Sequence, residues 1–174
     1  KQSQLYKQHP DWLLKAKDRK ESAGRDQYIL DYSQPAVRKN IVKQLKNILD
    51  NVPIDYIKWD YNRNMTEIGS QSADIRDGEV LHRVVLGLYE ILEELTSSYP
   101  NILWESCSGG GGRYDPGMLY YMPQTWTSDN TDAVSRLGIQ TGTSLIFPVS
   151  SMASHVSDVP NHQLNRTTSL KMRG

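Results

Sequence analysis

A single cysteine, Cys107, and a single phenylalanine, Phe147, are all that the 174 residues hold of either type. One cysteine excludes an internal disulfide and leaves a reducing compartment or a thiol with a local task, so a cytoplasmic protein is expected. Net charge is lacking as well: Lys plus Arg and Asp plus Glu both count 20, for a formal charge of +0. No global positive field is available to hold nucleic acid or an anionic membrane, and neither is expected as a partner. Long hydrophobic runs are also missing. Nothing approaches the roughly 20 apolar residues that span a bilayer, and the opening KQSQLYKQHPDW has no apolar signal core, so the start reads as mid-protein.

What is present is polar but foldable. Hydrophobic residues make 37% and charged residues 23%, which suits one ordinary domain with a thin core and is too little chain for two. The aromatic residues are mainly 10 Tyr and 4 Trp, rings with a polar handle that suit sugars and interfaces alike.

Residues 1–26 mix Pro10, Gly24 and charges without a period, which predicts a surface loop with at most one short helix. Residues 27–32 (QYILDY) read as a strand, after which Ser33 and Pro35 open a helix. Val37, Ile41, Leu45, Ile48 and Leu49 repeat at helical spacing to about Asp50, and Pro53 closes the unit. YIKWD (56–60) is the next strand. A polar loop with Gly69 and Gly78 then leads to a helix carrying Leu81, Val84, Val85, Leu88, Ile91, Leu92 and Leu95 on its apolar face. Residues 102–107 and 125–129 read as further strands, 131–137 as a short helix, 144–148 and 152–156 as brief apolar runs, and 160–174 as loop. Strands alternating with helices imply an α/β layout around a parallel sheet, with chemistry at the carboxyl ends of the strands.

Alternation along YIKWD places Tyr56, Lys58 and Asp60 on one face and Ile57 and Trp59 on the other. Lys58 and Asp60 are costly to bury unless paired or bound to something polar; a structural ion pair satisfies that, and so does a site. Their place at a strand end, with Asn62 two residues on, favours the site. Asp129 ends a second run and is followed by Asn130, Thr131 and Asp132, a string that also makes a good helix N-cap, a role that would account for Asp132 alone. Two carboxylates at the ends of different strands match the pair that glycoside hydrolysis requires, and Asp60 and Asp129 are the candidates. The run SCSGGGGR (106–113) lacks the Gly-Lys-Ser/Thr ending of a phosphate loop and reads as a tight turn or a backbone wall for a flat ligand. Cys107 as a nucleophile would need His82, His155 or His162 as its base. Asp129, His155 and His162 fit no zinc spacing, so neither metal nor cofactor is expected.

Five ordered blocks carry a resemblance: GRDQYILDYS (24–33), DYIKWDYNR (55–63), ESCSGGGGRYDPGML (105–119), WTSDNTDAVSRLGIQTGTSLIFP (126–148) and HVSDVPNHQLNRTT (155–168). Together they resemble the α-galactosidases of glycoside hydrolase family 36, in clan D. That resemblance implies a retaining enzyme on a (β/α)8 TIM barrel, with a large β-sandwich before the barrel and a small β domain after it. In this register Asp60 matches the nucleophile and Asp129 the acid/base, while Arg25, Lys58, Asn62, Cys107, Gly109 and Gly110 match positions that hold the galactose ring. The KWD strand corresponds to the fourth of the barrel and WTSD to the sixth, so residues 1–174 are expected to form a partial barrel, roughly strands 4 to 7 with their helices. The sandwich, the first strands, the last strand and the C-terminal β domain would lie outside the chain, as would the family's early-strand aspartates and tryptophan. The parent is then expected to be a homo-oligomer hydrolysing terminal α-galactosides such as melibiose or raffinose-type sugars, and the isolated piece to be inactive. A galactosyl transferase and a non-catalytic carbohydrate-binding fragment are the alternatives.

Overall fold

The computed structural model describes residues 3–174, in two compact units: one built from the chain up to Asp55 together with Arg63–Ile102, the other from Tyr56–Asn62 and Leu103–Gly174.

In the first unit a short helix, α1 (Gln4–Gln8), is capped by Ser3, whose hydroxyl accepts from the Tyr6 amide, and a 3₁₀ turn follows at Pro10–Trp12. The strand expected over 27–32 does not form. Arg25 (φ 53°) and Asp26 (φ 57°) adopt left-handed backbone in a tight turn between Gly24 and Gln27, and beyond it the segment makes a single antiparallel bridge, Leu13 to Leu30. One bridge is too little ladder for a strand. Instead Asp31, wholly buried, organises the segment: its carboxylate accepts from the Ser33 amide and hydroxyl, Gln34 Nε2 and Ser70 Oγ. This use of Ser33 moves the start of the next helix, α2 (Pro35–Leu49), so that Gln34 is its N-cap and Pro35 its first residue, where a missing N–H costs nothing.

Helix α2 buries Val37 and Val42, and α3 (Val80–Ser98) buries Val80, Val84, Leu88, Ile91, Leu92 and Leu95. Each such aliphatic side chain contributes about 1.5–3 kcal/mol when fully buried. Gly87 allows α3 to press against the Tyr32 carbonyl, since a Cβ there would lie 2.1 Å from that oxygen. Ion pairs of 2.8 Å between Arg38 and Glu90 and between Lys46 and Glu94 tie the two helices at their rims. Leu81 and Val85, expected on the apolar face, are exposed instead; the buried stripe of α3 is narrower than the arc of apolar residues the sequence offers.

The second unit holds the sheet. Strands β1 (Tyr56–Asp60), β2 (Leu103–Cys107) and β3 (Gln124–Thr125) are parallel in the order β1-β2-β3. The register sets Lys58 opposite Glu105, Asp60 opposite Cys107 and Ser106 opposite Thr125. A parallel bridge from Thr125 to Met152 continues the sheet by one position. The strand expected over 125–129 is therefore two residues long and displaced. Trp126 still donates its amide to the Ser106 carbonyl at 2.8 Å, but β2 ends at Cys107 and offers no further ladder, and Asn130 folds back to donate to Ser128 Oγ. Helix α4 (Pro116–Tyr121) is capped by Asp115. The helix expected over 131–137 runs as α5 (Ala133–Ser144), and the presumed terminal loop ends in a short helix, α6 (Leu170–Arg173). Because the strands are parallel and nearly flush, Asp60, Cys107 and the segment after Thr125 emerge along one edge, the edge where open and closed α/β sheets place ligands.

Candidate active site

Strand alternation and parallel register bring Tyr56, Lys58 and Asp60 of β1 onto one face with Glu105 and Cys107 of β2. Lys58 Nζ lies 3.2 Å from Glu105 Oε1 and 4.3 Å from the centroid of the Trp126 ring. Lys58 thus has a structural ion-pair partner, but on the neighbouring strand. Glu105, only 5% exposed, also accepts from the Tyr56 hydroxyl. Burial, this hydrogen bond and the carboxylate's charge push the Tyr56 phenol up to about 12. Sequence periodicity gives no hint of Glu105 as a partner of Lys58, because the pairing depends on a register set between segments 47 residues apart; the only available signal is that both are charged residues in strands.

Asp60 is exposed at the end of β1 and its Oδ2 accepts from Asn62 Nδ2 at 2.5 Å. Asn62 is itself oriented, its Oδ1 accepting from the Gly109 amide at 2.7 Å. Cys107 is the register partner of Asp60 on the neighbouring strand. Cys107 is 3% exposed, and burial pushes its thiol pKa up, opposed by the Gly110 backbone hydrogen bond and raised further by Asp60. It is a buried thiol beside a carboxylate, and a poor nucleophile, since nucleophilic cysteines need a lowered pKa.

The glycine run forms the tight turn expected: the Ser108 amide donates to the Gly110 carbonyl at 2.9 Å and the Gly112 amide to the Ser108 carbonyl at 3.2 Å. Gly109 (φ +57°) and Gly110 (φ +87°) use the left-handed region, and a Cβ on Gly110 would meet Ser128 Cα at 2.6 Å and the Asp129 amide nitrogen at 3.0 Å. The turn therefore lies directly against the backbone that carries Asp129. Asp129 is exposed, and its carbonyl accepts from Gln163 Nε2 at 2.9 Å. Asp132 is the N-cap of α5, accepting from the Ser135 amide and hydroxyl and pairing with Arg166 at 3.0 Å. The Ser135 amide, outweighing the opposing effect of burial, holds its carboxyl below the ordinary value.

Lys58, Asp60, Asn62, Cys107, Gly109, Gly110 and Asp129 thus all belong to the second unit. Arg25 stands in the first, exposed on its left-handed turn. His82 and His162 are exposed, and among the described residues no group of three or more His, Cys, Asp or Glu is arranged to hold a metal ion.

His155 lies 4.8 Å from the Trp126 ring, and neither of its ring nitrogens has a hydrogen-bond partner. Burial, then the charges of Arg136 and Lys58, hold its pKa below 6.5. Below that pH the unfolded chain binds a proton at this residue that the folded chain refuses, so the contribution is lost as pH falls from about 6.5 toward the folded value. Stepwise thermal melts of the protein should show midpoints dropping across this window. His155→Gln should flatten that part of the profile; an unchanged slope would contradict the assignment.

A parallel α/β sheet with a carboxylate at a strand end, held by an amide and flanked by a glycine turn, has the arrangement of α/β proteins that place their chemistry at the carboxyl ends of the strands. The chain belongs to the melibiase family, whose model matches residues 1–174. It is 60% identical over 173 residues to the α-galactosidase AgaA of Geobacillus stearothermophilus, covering 99% of this chain and 24% of that protein. It is 58% identical over 172 residues to α-galactosidase 1 of Pediococcus pentosaceus, covering 98% and 24%. Among solved structures it is similar to the glycoside hydrolase family 36 AgaA variant in complex with raffinose, with a TM-score of 0.93, 58% identity, and coverage of 98% of this chain and 24% of the other. The chain therefore spans about a quarter of the length of these relatives. No helix among the described residues is long and apolar enough to cross a membrane.

Proposed function

We propose that the parent protein is a retaining α-galactosidase and that this chain supplies both of its catalytic carboxylates. The observation that carries the reading is the Asp60 carboxylate at the end of β1, held by Asn62 and set opposite Cys107 in the strand register, in a chain whose relatives are named α-galactosidases. In this reading β1, β2, β3 and the Met152 position are strands 4 to 7 of a (β/α)8 barrel, a role supported by their parallel order and by the likeness to glycoside hydrolase family 36 structures. The remainder of the barrel and its flanking β domains come from outside the chain.

Asp60 attacks the anomeric carbon of a terminal α-galactoside, while protonated Asp129 gives its proton to the departing glycosidic oxygen. A β-linked galactosyl ester forms on Asp60. Asp129, now a carboxylate, takes a proton from water as that water opens the ester, which restores the α configuration. The geometry required is a separation of about 5–5.5 Å between the two carboxyl groups. Lys58, Asn62, Cys107 and the Gly109–Gly110 turn bind ring hydroxyls. Asn62 also holds Asp60 in place, so that it meets the anomeric carbon without reorganisation. The substrates are melibiose and raffinose-type sugars; the AgaA variant in complex with raffinose is the supporting precedent.

The reading is tested by following galactose release from melibiose by the full-length parent with NMR. The α anomer should appear first and mutarotate later. Initial release of the β anomer would overturn the retaining mechanism, and absence of galactose would overturn the activity.

A further inference from the structure

Around Asp129, three consecutive backbone carbonyls are engaged by side chains. Arg136 Nη1 donates to the Ser128 carbonyl at 2.9 Å and to the Asn130 carbonyl at 3.4 Å, the residues on either side of Asp129. Gln163 Nε2 donates to the Asp129 carbonyl itself at 2.9 Å, and its Oε1 is anchored by the Thr131 amide at 2.9 Å. The loop is also wired internally, with the Asn130 amide donating to Ser128 Oγ at 3.1 Å and the Asp132 amide to Asn130 Oδ1 at 3.0 Å.

Arg136 is an unusual residue for mere filling. It is 9% exposed, its guanidinium lies 5.2 Å from the Trp126 ring, and no carboxylate pairs with it within 4.0 Å among the described residues. A buried cation without a counter-ion is costly unless its hydrogen bonds are needed, and those it makes go to the two carbonyls flanking Asp129. Both hydrogen bonds leave one nitrogen, Nη1, which bridges the two carbonyls, while the buried Nη2 makes none.

We infer that Arg136 and Gln163 are positioning residues for Asp129: by clamping the carbonyls of residues 128–130 they fix the backbone from which the carboxyl group projects toward the leaving-group oxygen. The inference rests on the reading of Asp129 as proton donor. Asp129 is exposed in a loop, so the direction of its side chain depends on that backbone. A displacement of about 1 Å in a catalytic group costs roughly 10²-fold in rate, and general acid catalysis as a whole contributes about 10²–10⁴-fold.

The experiment compares kcat/KM of the full-length parent on two substrates. Melibiose has a sugar leaving group that needs the proton; 2,4-dinitrophenyl α-galactoside has one that departs without it. Arg136→Gln should lower kcat/KM on melibiose by about 10²-fold and Gln163→Ala by about tenfold, with the dinitrophenyl substrate changed by less than about threefold in both. A merely structural role would lower both substrates in parallel, and that result, or unchanged melibiose turnover, overturns the inference. Where Arg136→Gln fails to fold, the exposed Gln163 decides the matter by the same ratio. Asp129→Asn is the reference: if it too lowers both substrates equally, the reading of Asp129 as the acid is what has failed, whatever the clamp variants do.

Discussion

Asp60→Asn in the full-length parent should reduce melibiose turnover by at least about four orders of magnitude, the scale on which removal of a covalent nucleophile acts. An amide oxygen is too weak a nucleophile to form the galactosyl ester, and no second carboxylate is available from β1 in its place. The substitution is otherwise mild. Asp60 is exposed at the strand end, and Asn has nearly the same volume, so stability should change by no more than about 0.5 kcal/mol. That separates loss of chemistry from loss of fold. A 2-fluoro galactosyl trapping reagent should label the native protein on the peptide that contains Asp60, and the Asn variant should remain unlabelled. Turnover above about 1% of the native rate, or a label on another residue, would remove Asp60 from the nucleophile role.

Gly110→Ala is expected to damage both the fold and the turnover. Gly110 has φ +87°, and an added Cβ would stand 2.6 Å from Ser128 Cα and 3.0 Å from the Asp129 nitrogen. The left-handed conformation alone costs an L-residue about 1–2 kcal/mol. The clash adds to this because backbone, not the end of a flexible side chain, must move. What moves is the segment holding Asp129, so turnover should fall by about 10²-fold along with a lower thermal midpoint. Gly138 and Gly142 in α5 are the natural controls, with nothing within 4 Å of an added Cβ. Alanine at either should be neutral or slightly stabilising, because glycine is a poor helix former. Gly110→Ala activity within about threefold of native would mean that the turn does not set the position of Asp129.

Local pattern was enough for part of this protein. The apolar spacing from Val37 to Leu49 and from Val84 to Leu95 identifies α2 and α3, since helical periodicity is carried by neighbouring residues. Alternation in YIKWD places Lys58 and Asp60 on one face of β1, and Asp132 is legible as a cap from the polar string before α5. Local pattern misleads where the outcome depends on distant partners. Residues 27–32 are as apolar as a strand, yet among the described residues they make only isolated bridges, Gly24 to Gln27 across the turn and Leu13 to Leu30, and Arg25 and Asp26 bend the chain just before. Residues 125–129 run out of ladder as soon as β2 ends at Cys107.

The candidate site divides in the same way. Sequence by itself determined the residue types, the strand end at Asp60, the glycine turn and the family resemblance that pairs Asp60 with Asp129. Only the tertiary structure decided that Lys58 pairs with Glu105, that Cys107 is buried opposite Asp60 in the register, that Gly110 abuts the Asp129 backbone, and that Arg136 and Gln163 grip the carbonyls around it. Each of these depends on parallel register or on loop closure between segments far apart in the chain. Such contacts arise from the summed packing of whole elements, and no short window of sequence records that sum.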